Sequence, residues 1–242
     1  MSGHSHWSKV KWQKGATDLR RSKAFSKMAR LITIAAREGR DPTINSKLRL
    51  AIEMAKRINM SSENIERAIK RGAGEVEGTK LEPVIFEAYG PGGIAILIEG
   101  ITDNKNRALN EVKQILNQNN GKLVAEGSVK WLFERKGVIT IVITNDQTPA
   151  PKEDLEMLTI EAGAEDIRWK DDVLDIYTKI GDLDKVKRNL ENQGIKIESA
   201  SLDWVAKEEI TLREKERENC QKLFEALDEV ESVQEIYSNL KE

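Results

Sequence analysis

At residues 71–79 the chain changes character twice, and that junction constrains the fold more than any other stretch. Before it, apolar residues recur every three or four positions, the period of packed helices; after it, short apolar runs alternate with amphipathic segments, the pattern of mixed strands and helices. The charge changes sign at the same place. Residues 1–74 hold seventeen Lys and Arg against six Asp and Glu, a net of +11, while the rest holds 22 against 35, a net of −13. The formal charge of −2 for all 242 residues is therefore a cancellation. The junction itself, RGAGEVEGT, carries three glycines in seven residues and reads as a hinge or linker between modules with different partners.

Three helices are expected in the basic module. The first runs from about Thr17 to Glu38, stopping before Gly39 and Pro42. At 100° per residue, Arg20, Lys23, Lys27, Arg30 and Arg37 fall within about 100° of arc, opposite a seam of Phe25, Met28, Ile32, Ala35 and Ala36. Arg21 and Ile34 break the two-sidedness. A second helix over 44–58 carries Leu48, Ala51, Ile52, Ala55 and Ile58 at helical spacing. A third over 62–71 has Ile65, Ala68 and Ile69 as its seam, Ser61 as N-cap, and Lys70-Arg71-Gly72 as a C-terminal ending. Three short amphipathic helices can share one small core.

From Arg20 to Arg37 there is no Asp or Glu, so this run of like charge lacks local compensation and is expected to meet a polyanion. Ahead of it lies an arm, HSHWSKVKWQKG, that interleaves Trp7 and Trp12 with Lys9, Lys11 and Lys14. Cations for phosphates beside rings for stacking suit structured or single-stranded RNA and serve equally as a DNA groove arm. The alternative for each Trp is docking of the arm onto the helices. The candidate nucleic-acid-binding residues are thus Lys9, Lys11, Trp12, Lys14, Arg20, Arg21, Lys23, Lys27 and Arg30.

The acidic part reads as α/β. VIFEAYG and GIAILIEGIT are strands joined by the turn Gly90–Gly93; Asn104 to Asn119 is an amphipathic helix capped by the Thr102–Asn104 cluster; SVKWLFERKG returns as a strand. From Val138 the order becomes strand, helix, strand, strand, helix, strand, the ferredoxin-like unit. A charged helix (about 213–228) and a strand, VQEIYSNL, remain, and the simplest completion pairs that strand with the 84–135 sheet. The expected class is α+β: a three-helix N-terminal domain followed by two α/β sandwich-like domains, at least one ferredoxin-like. The expected partition is 1–78, a discontinuous 79–136 plus 207–242, and an inserted 137–206.

Several function classes find no support. No apolar run spans a bilayer, and the basic, aromatic start has no apolar core of a signal peptide, so a cytoplasmic location is expected. Lone Cys220 leaves no disulfide framework and fits a reducing compartment. His4 and His6 have no third ligand nearby for zinc. Neither a nucleophile elbow nor a phosphate loop is present, and no carboxylate pair stands out, so an enzyme is a minority reading.

Several strings together resemble one family. GHSHW (3–7), REGRDP (37–42), LRLAIEMAKRINM (48–60), ENIERAIKRGAG (63–74), YGPGGIAILIE (89–99), TDNKNR (102–107) and GSVKWLFERKGVI (127–139) are similar, in order, to the YebC family. Its members are described as probable transcriptional regulators in bacteria and include mitochondrial translational activators. Trp12-Gln13 departs from the usual His followed by Arg or Lys, Arg40 stands where glycines are common, and Ser61 replaces a common Pro.

The resemblance implies three domains, cytoplasmic residence, neither catalysis nor a cofactor, and the basic helices as the nucleic-acid surface. Two functions compete. One is a DNA-binding transcriptional regulator, which here would be phosphate-driven, because the third helix opens with Ser61-Ser62-Glu63-Asn64 and offers no base-reading end. The other is a ribosome-associated factor that binds ribosomal RNA and relieves stalled translation. An enzyme with a site between the α/β domains, near Gly90–Gly93 or Asp103/Asn104/Arg107, is a remote third.

Overall fold

A computed structural model describes residues 18–143 and 152–241. The chain divides into two compact units, Glu134–Val205 and the remainder.

The larger unit begins with three helices, α1 (Asp18–Ala35), α2 (Ser46–Arg57) and α3 (Ser62–Gly72). Neither Pro nor Gly interrupts α1, which continues as a 3-10 turn over Ala36–Glu38 and ends at Gly39 with φ +138°. Ile32, Leu48, Ala51, Ala55, Ile65 and Ala68 are buried in the shared core, the seams the apolar spacing predicts. Asn45 ties two helices together: its Oδ1 accepts from Leu48 N at 3.0 Å, capping α2, and its Nδ2 donates to the Ala35 and Gly39 carbonyls at 2.8 and 2.7 Å.

Gly72 does not end α3 by adopting a left-handed conformation. It lies inside the helix where α3 crosses α1, and a Cβ there would sit 2.3 Å from the Thr33 carbonyl oxygen. The left-handed residue is Gly74, φ +78°. Glu75 N donates to Lys70 O at 2.9 Å and Gly74 N to Arg71 O at 3.2 Å, a Schellman ending.

The same unit holds a four-stranded antiparallel sheet of β1 (Glu82–Tyr89), β2 (Ala95–Thr102), β3 (Lys122–Val124) and, from the end of the chain, β8 (Val233–Ser238), ordered β3-β1-β2-β8. Helices α4 (Lys105–Gln118) and α7 (Glu214–Asp228) cover one face, with Ile96, Ile98, Val112, Leu116, Leu223, Phe224 and Ile236 fully or nearly buried. The register shifts at Gly100, whose missing side chain lets the Ser232 carbonyl come close. The Ile101 N–H then donates to Ser232 O at 2.8 Å, fixing the turn before β8 against the end of β2.

The expected third strand at SVKWLFERKG is corrected. The sheet's third strand is the short β3, Lys130–Leu132 forms a 3-10 turn, and Phe133 opens the ten-residue β4 (Phe133–Val142). A buried carboxylate explains the turn: Glu87 on β1 accepts from Gly127 N, Val129 N and Lys130 N at 2.6, 2.7 and 2.9 Å.

The smaller unit contains most of β4, then α5 (Lys152–Ala162), β5 (Asp166–Lys170), β6 (Val173–Thr178), α6 (Leu183–Asn192) and β7 (Ser199–Ala206). Its strand order, β5-β6-β4-β7, is ferredoxin-like. Ile139, Ile141, Leu155, Leu174, Ile176, Val186 and Leu190 are almost wholly buried.

Candidate nucleic-acid interface

Helix α1 displays its basic stripe on the side opposite its apolar seam, and the turn between α7 and β8, Asp228-Glu229-Val230-Glu231, meets it. Lys27 is 7% exposed; its Nζ donates to Asp228 Oδ1 at 2.7 Å and to the Asp228 carbonyl at 2.9 Å. One turn away on each side, Lys23 pairs with Glu229, and Arg30 pairs with Glu231 at 2.5 Å while donating to the Ile101 carbonyl at 2.9 Å. Buried Leu227 and Val230 anchor the turn in the sheet's core and leave its acids facing α1. Asp228 is also the last residue of α7, so the ammonium group meets the negative end of a helix dipole. The stripe therefore does have compensation, supplied by residues 201 to 206 positions away in the chain.

Of the other candidates, Lys9, Lys11, Trp12 and Lys14 lie outside the described residues, and for Arg20 only the helical backbone is described. Arg21 is exposed, its guanidinium 5.6 Å from the centre of the Phe25 ring. So the structure brings together Lys23, Lys27 and Arg30, and it does so against acids. Cations elsewhere in the three helices are mostly matched. Lys47 pairs with Glu38, Arg67 with Glu63, Lys70 with Glu66 and Arg40 with Glu75. The Lys70 ammonium holds the Glu66 carboxyl below its usual range, and Glu66 raises Lys70 in return. At the start of α3, Ser61 accepts from Asn64 N at 3.3 Å and Glu63 is bound to Arg67 at 3.0 Å, so the Ser61 hydroxyl and the Glu63 carboxylate are both engaged within the helix.

Three cations outside the set of candidate binding residues line a groove of about 770 Å³: Arg37 in the turn after α1, Arg71 near the end of α3, and Lys80 at the end of the glycine-rich loop. The signal in the sequence was the arginine set among glycines at 71–79, which reads more readily as a linker. The expected hinge is in fact drawn back on itself, with Arg71 Nη2 donating to Thr79 Oγ1 at 2.9 Å.

The clusters flagged for a remote catalytic role have structural work. Gly92 and Gly93 take φ of +69° and +79° in the tight turn between β1 and β2. Asn104 caps α4 by accepting from Arg107 N at 3.0 Å, and Arg107 pairs with Asp103. Among the described residues no group of three or more His, Cys, Asp or Glu is placed to hold a metal ion. Burial, with a smaller push from Glu216, raises the Cys220 thiol to about 11. Among the described residues no helix is long and apolar enough to cross a membrane.

Comparison with known proteins places this arrangement among relatives. Residues 5–75 match the model of the TACO1/YebC protein N-terminal domain, and residues 81–240 that of the TACO1/YebC second and third domain. A "probable transcriptional regulatory protein" of Pseudothermotoga lettingae is 46% identical over 242 residues, covering 100% of this chain and 94% of that one. One of the same description from Halothermothrix orenii is 43% identical over 241 residues, covering 99% and 94%. A crystal structure of a conserved hypothetical protein from Aquifex aeolicus superposes with a TM-score of 0.87 at 42% identity, over 98% of this chain and 97% of that one.

Proposed function

The chain belongs to the TACO1/YebC family, and on that premise we propose that it is a non-enzymatic regulator of gene expression that binds nucleic acid phosphates through its basic N-terminal module. The observation that carries the reading is the partition of charge, +11 over residues 1–74 against −13 over the rest. A polyanion attracted to one end is repelled by the other, so charge alone orients the chain. The name shared by its relatives supports regulation of transcription, and DNA is the polymer that this reading takes.

Binding of this kind is driven by counterion release, is steeply salt-dependent and discriminates weakly between sequences. The residues assigned to it are Lys9, Lys11, Trp12, Lys14, Arg20 and Arg21. Lys23, Lys27 and Arg30 add to the local field, although their closest partners are the 228–231 acids. The proposed place of action is the cytoplasm, where nucleic acid and ribosomes are both available.

One observation favours a second reading, a ribosome-associated translation factor that binds ribosomal RNA. The start of α3 is occupied by a Ser61 cap and a Glu63–Arg67 pair, which suits backbone and shape recognition better than reading a DNA groove. Sedimentation of a cell lysate at low and moderate salt, beside footprinting on genomic promoters, separates the two. Comigration with ribosomes that is lost on Lys9→Glu, Lys11→Glu and Lys14→Glu supports RNA; a defined promoter footprint without comigration supports DNA. Neither result in any salt condition refutes both readings. Arm substitutions are the right probe, because reversing Lys27 would disrupt a buried pair and the fold with it.

A further inference from the structure

We propose that the groove formed by the turn after α1, the end of α3 and the glycine-rich loop at 74–80 seats a phosphodiester phosphate between Arg37, Arg71 and Lys80. The inference rests on the reading that the basic module binds nucleic acid, and it joins Arg37, at the end of the charge stripe, to two cations outside the stripe, Arg71 and Lys80.

The guanidinium of Arg71 is already fixed. Its Nη2 donates to Thr79 Oγ1 and to the Thr79 carbonyl, at 2.9 and 3.3 Å. The backbone at Gly78 packs so closely that a Cβ there would fall 2.6 Å from Arg71 Nε. Nε is buried beneath that backbone, which leaves Nη1, with no bond among the described residues, as the donor for a ligand. A preorganised guanidinium with one free amino group is half of a phosphate site, since the entropy of holding the side chain has been met by the fold.

The loop supplies further donors. Among the described residues no backbone acceptor takes the amides of Val76, Glu77, Gly78, Thr79 or Lys80. Unpaired amides in a glycine-rich turn beside Arg and Lys are the usual ingredients of an anion-binding concavity. Arg37 is exposed and has no ion pair among the described residues. The Lys80 side chain is 80% exposed; it comes only to 3.6 Å from Glu82, which has Lys105 closer at 3.1 Å. Most other cations of the three helices are matched to acids, which sets this group apart. Against it stands one acid lining the groove, Glu77; Glu75 nearby is taken by Arg40.

The test measures affinity of the full chain for a single-stranded RNA and a duplex DNA, each of about 20 nucleotides or base pairs, by fluorescence anisotropy across salt concentrations. Arg37→Gln with Lys80→Gln weakens binding about tenfold and lowers the salt slope by about 1 per residue. Glu77→Gln tightens it about twofold by removing the opposing charge. Lys113→Gln with Lys122→Gln, the same charge removed from α4 and β3, changes affinity less than twofold. All these side chains are exposed, so the thermal midpoint stays unchanged and loss of fold does not imitate loss of binding. Equal loss on both polymers supports a shared phosphate seat, and loss on one alone supports the seat and names its polymer. Wild-type-like binding by the groove pair, or a loss no greater than that of the α4–β3 pair, overturns the inference while leaving the functional reading intact. Failure of the wild-type chain to bind either polymer overturns both.

Discussion

Lys27 and Asp228 stand 201 residues apart in the chain and meet twice, through the carboxylate at 2.7 Å and the main-chain carbonyl at 2.9 Å. With side chains 9% and 15% exposed, this pair is the desolvated centre of the contact between α1 and the turn before β8. Its flanking pairs are far wetter on the acidic side, with Glu229 56% and Glu231 66% exposed. Removing the Asp228 carboxylate leaves the buried Lys27 ammonium with the main-chain carbonyl but without the counter-charge of the pair. Asp228→Ala therefore costs about 3 kcal/mol in urea denaturation, whereas Glu229→Ala costs less than about 1 kcal/mol. Lys27→Met with Asp228→Leu recovers most of the loss, because an apolar pair has no desolvation to repay. Equal losses at 228 and 229 would contradict this ranking.

Glu87 carries a pH signature. Burial works to raise its carboxyl, and the amides of Val129, Gly127 and Lys130, with the Lys130 charge, outweigh burial and leave it below the usual 4.5. A carboxylate with a lowered folded value contributes stability that is fully present above the unfolded value. That contribution is lost as pH falls below about 4.5 and through the folded value. Glu87→Gln keeps the shape but replaces one accepting oxygen with a donor, facing amides that also donate. It costs about 2 kcal/mol at neutral pH, and the acid limb of the stability curve becomes shallower. Chemical denaturation at several pH values reads both effects, and an unaltered acid limb would show that Glu87 is not its source.

Gly72 and Gly74 respond oppositely to what helix propensity alone suggests. In an isolated helix Gly72→Ala stabilises by about 1 kcal/mol. Here the added methyl meets the Thr33 carbonyl at 2.3 Å and the Ala36 Cβ at 2.7 Å, so α1 and α3 must separate. The expected net effect is a destabilisation of about 2 kcal/mol or more, read as a lower thermal midpoint. Gly74→Ala meets nothing within 4 Å and carries only the strain of φ +78°, about 1 kcal/mol. A more stable Gly72→Ala variant would mean the helices do not cross at this point.

These cases mark what could be read in the sequence. Apolar spacing located α1, α2 and α3 and their seams, because a helix's own period shows which side must be buried. The same period cannot say what covers the opposite side. The basic stripe looked uncompensated because its acids arrive from the α7–β8 turn, a contact made only when β8 pairs with β2. In sequence Gly72 resembles a helix ending, because glycines near helix ends usually are, and its closeness to Thr33 exists only in the packed structure. At three residues, β3 is too short for alternation to show, and the turn that displaced the expected strand is organised by one carboxylate about forty residues upstream. The ferredoxin-like unit is legible as a succession of six elements along the chain, whereas the pairing order β5-β6-β4-β7 is seen only in the folded sheet.

If the basic module binds phosphates as proposed, the acids at 229 and 231 compete with that ligand. Glu229→Gln with Glu231→Gln removes the partners of Lys23 and Arg30 at positions that are mostly solvent-exposed, so the fold is retained. Lys27 keeps Asp228, and the helix stays docked. Two cations held by carboxylates then become available to a polyanion, and the acidic field beside them is lost. Affinity for nucleic acid rises about threefold, and the slope of log K against log salt steepens by about 1 as a released counterion is added. The measurement is anisotropy at matched salt, beside a thermal melt that confirms folding. A slope and affinity equal to wild type would show that the stripe faces only its own protein, leaving phosphate contact to the arm and the Arg37–Arg71–Lys80 groove.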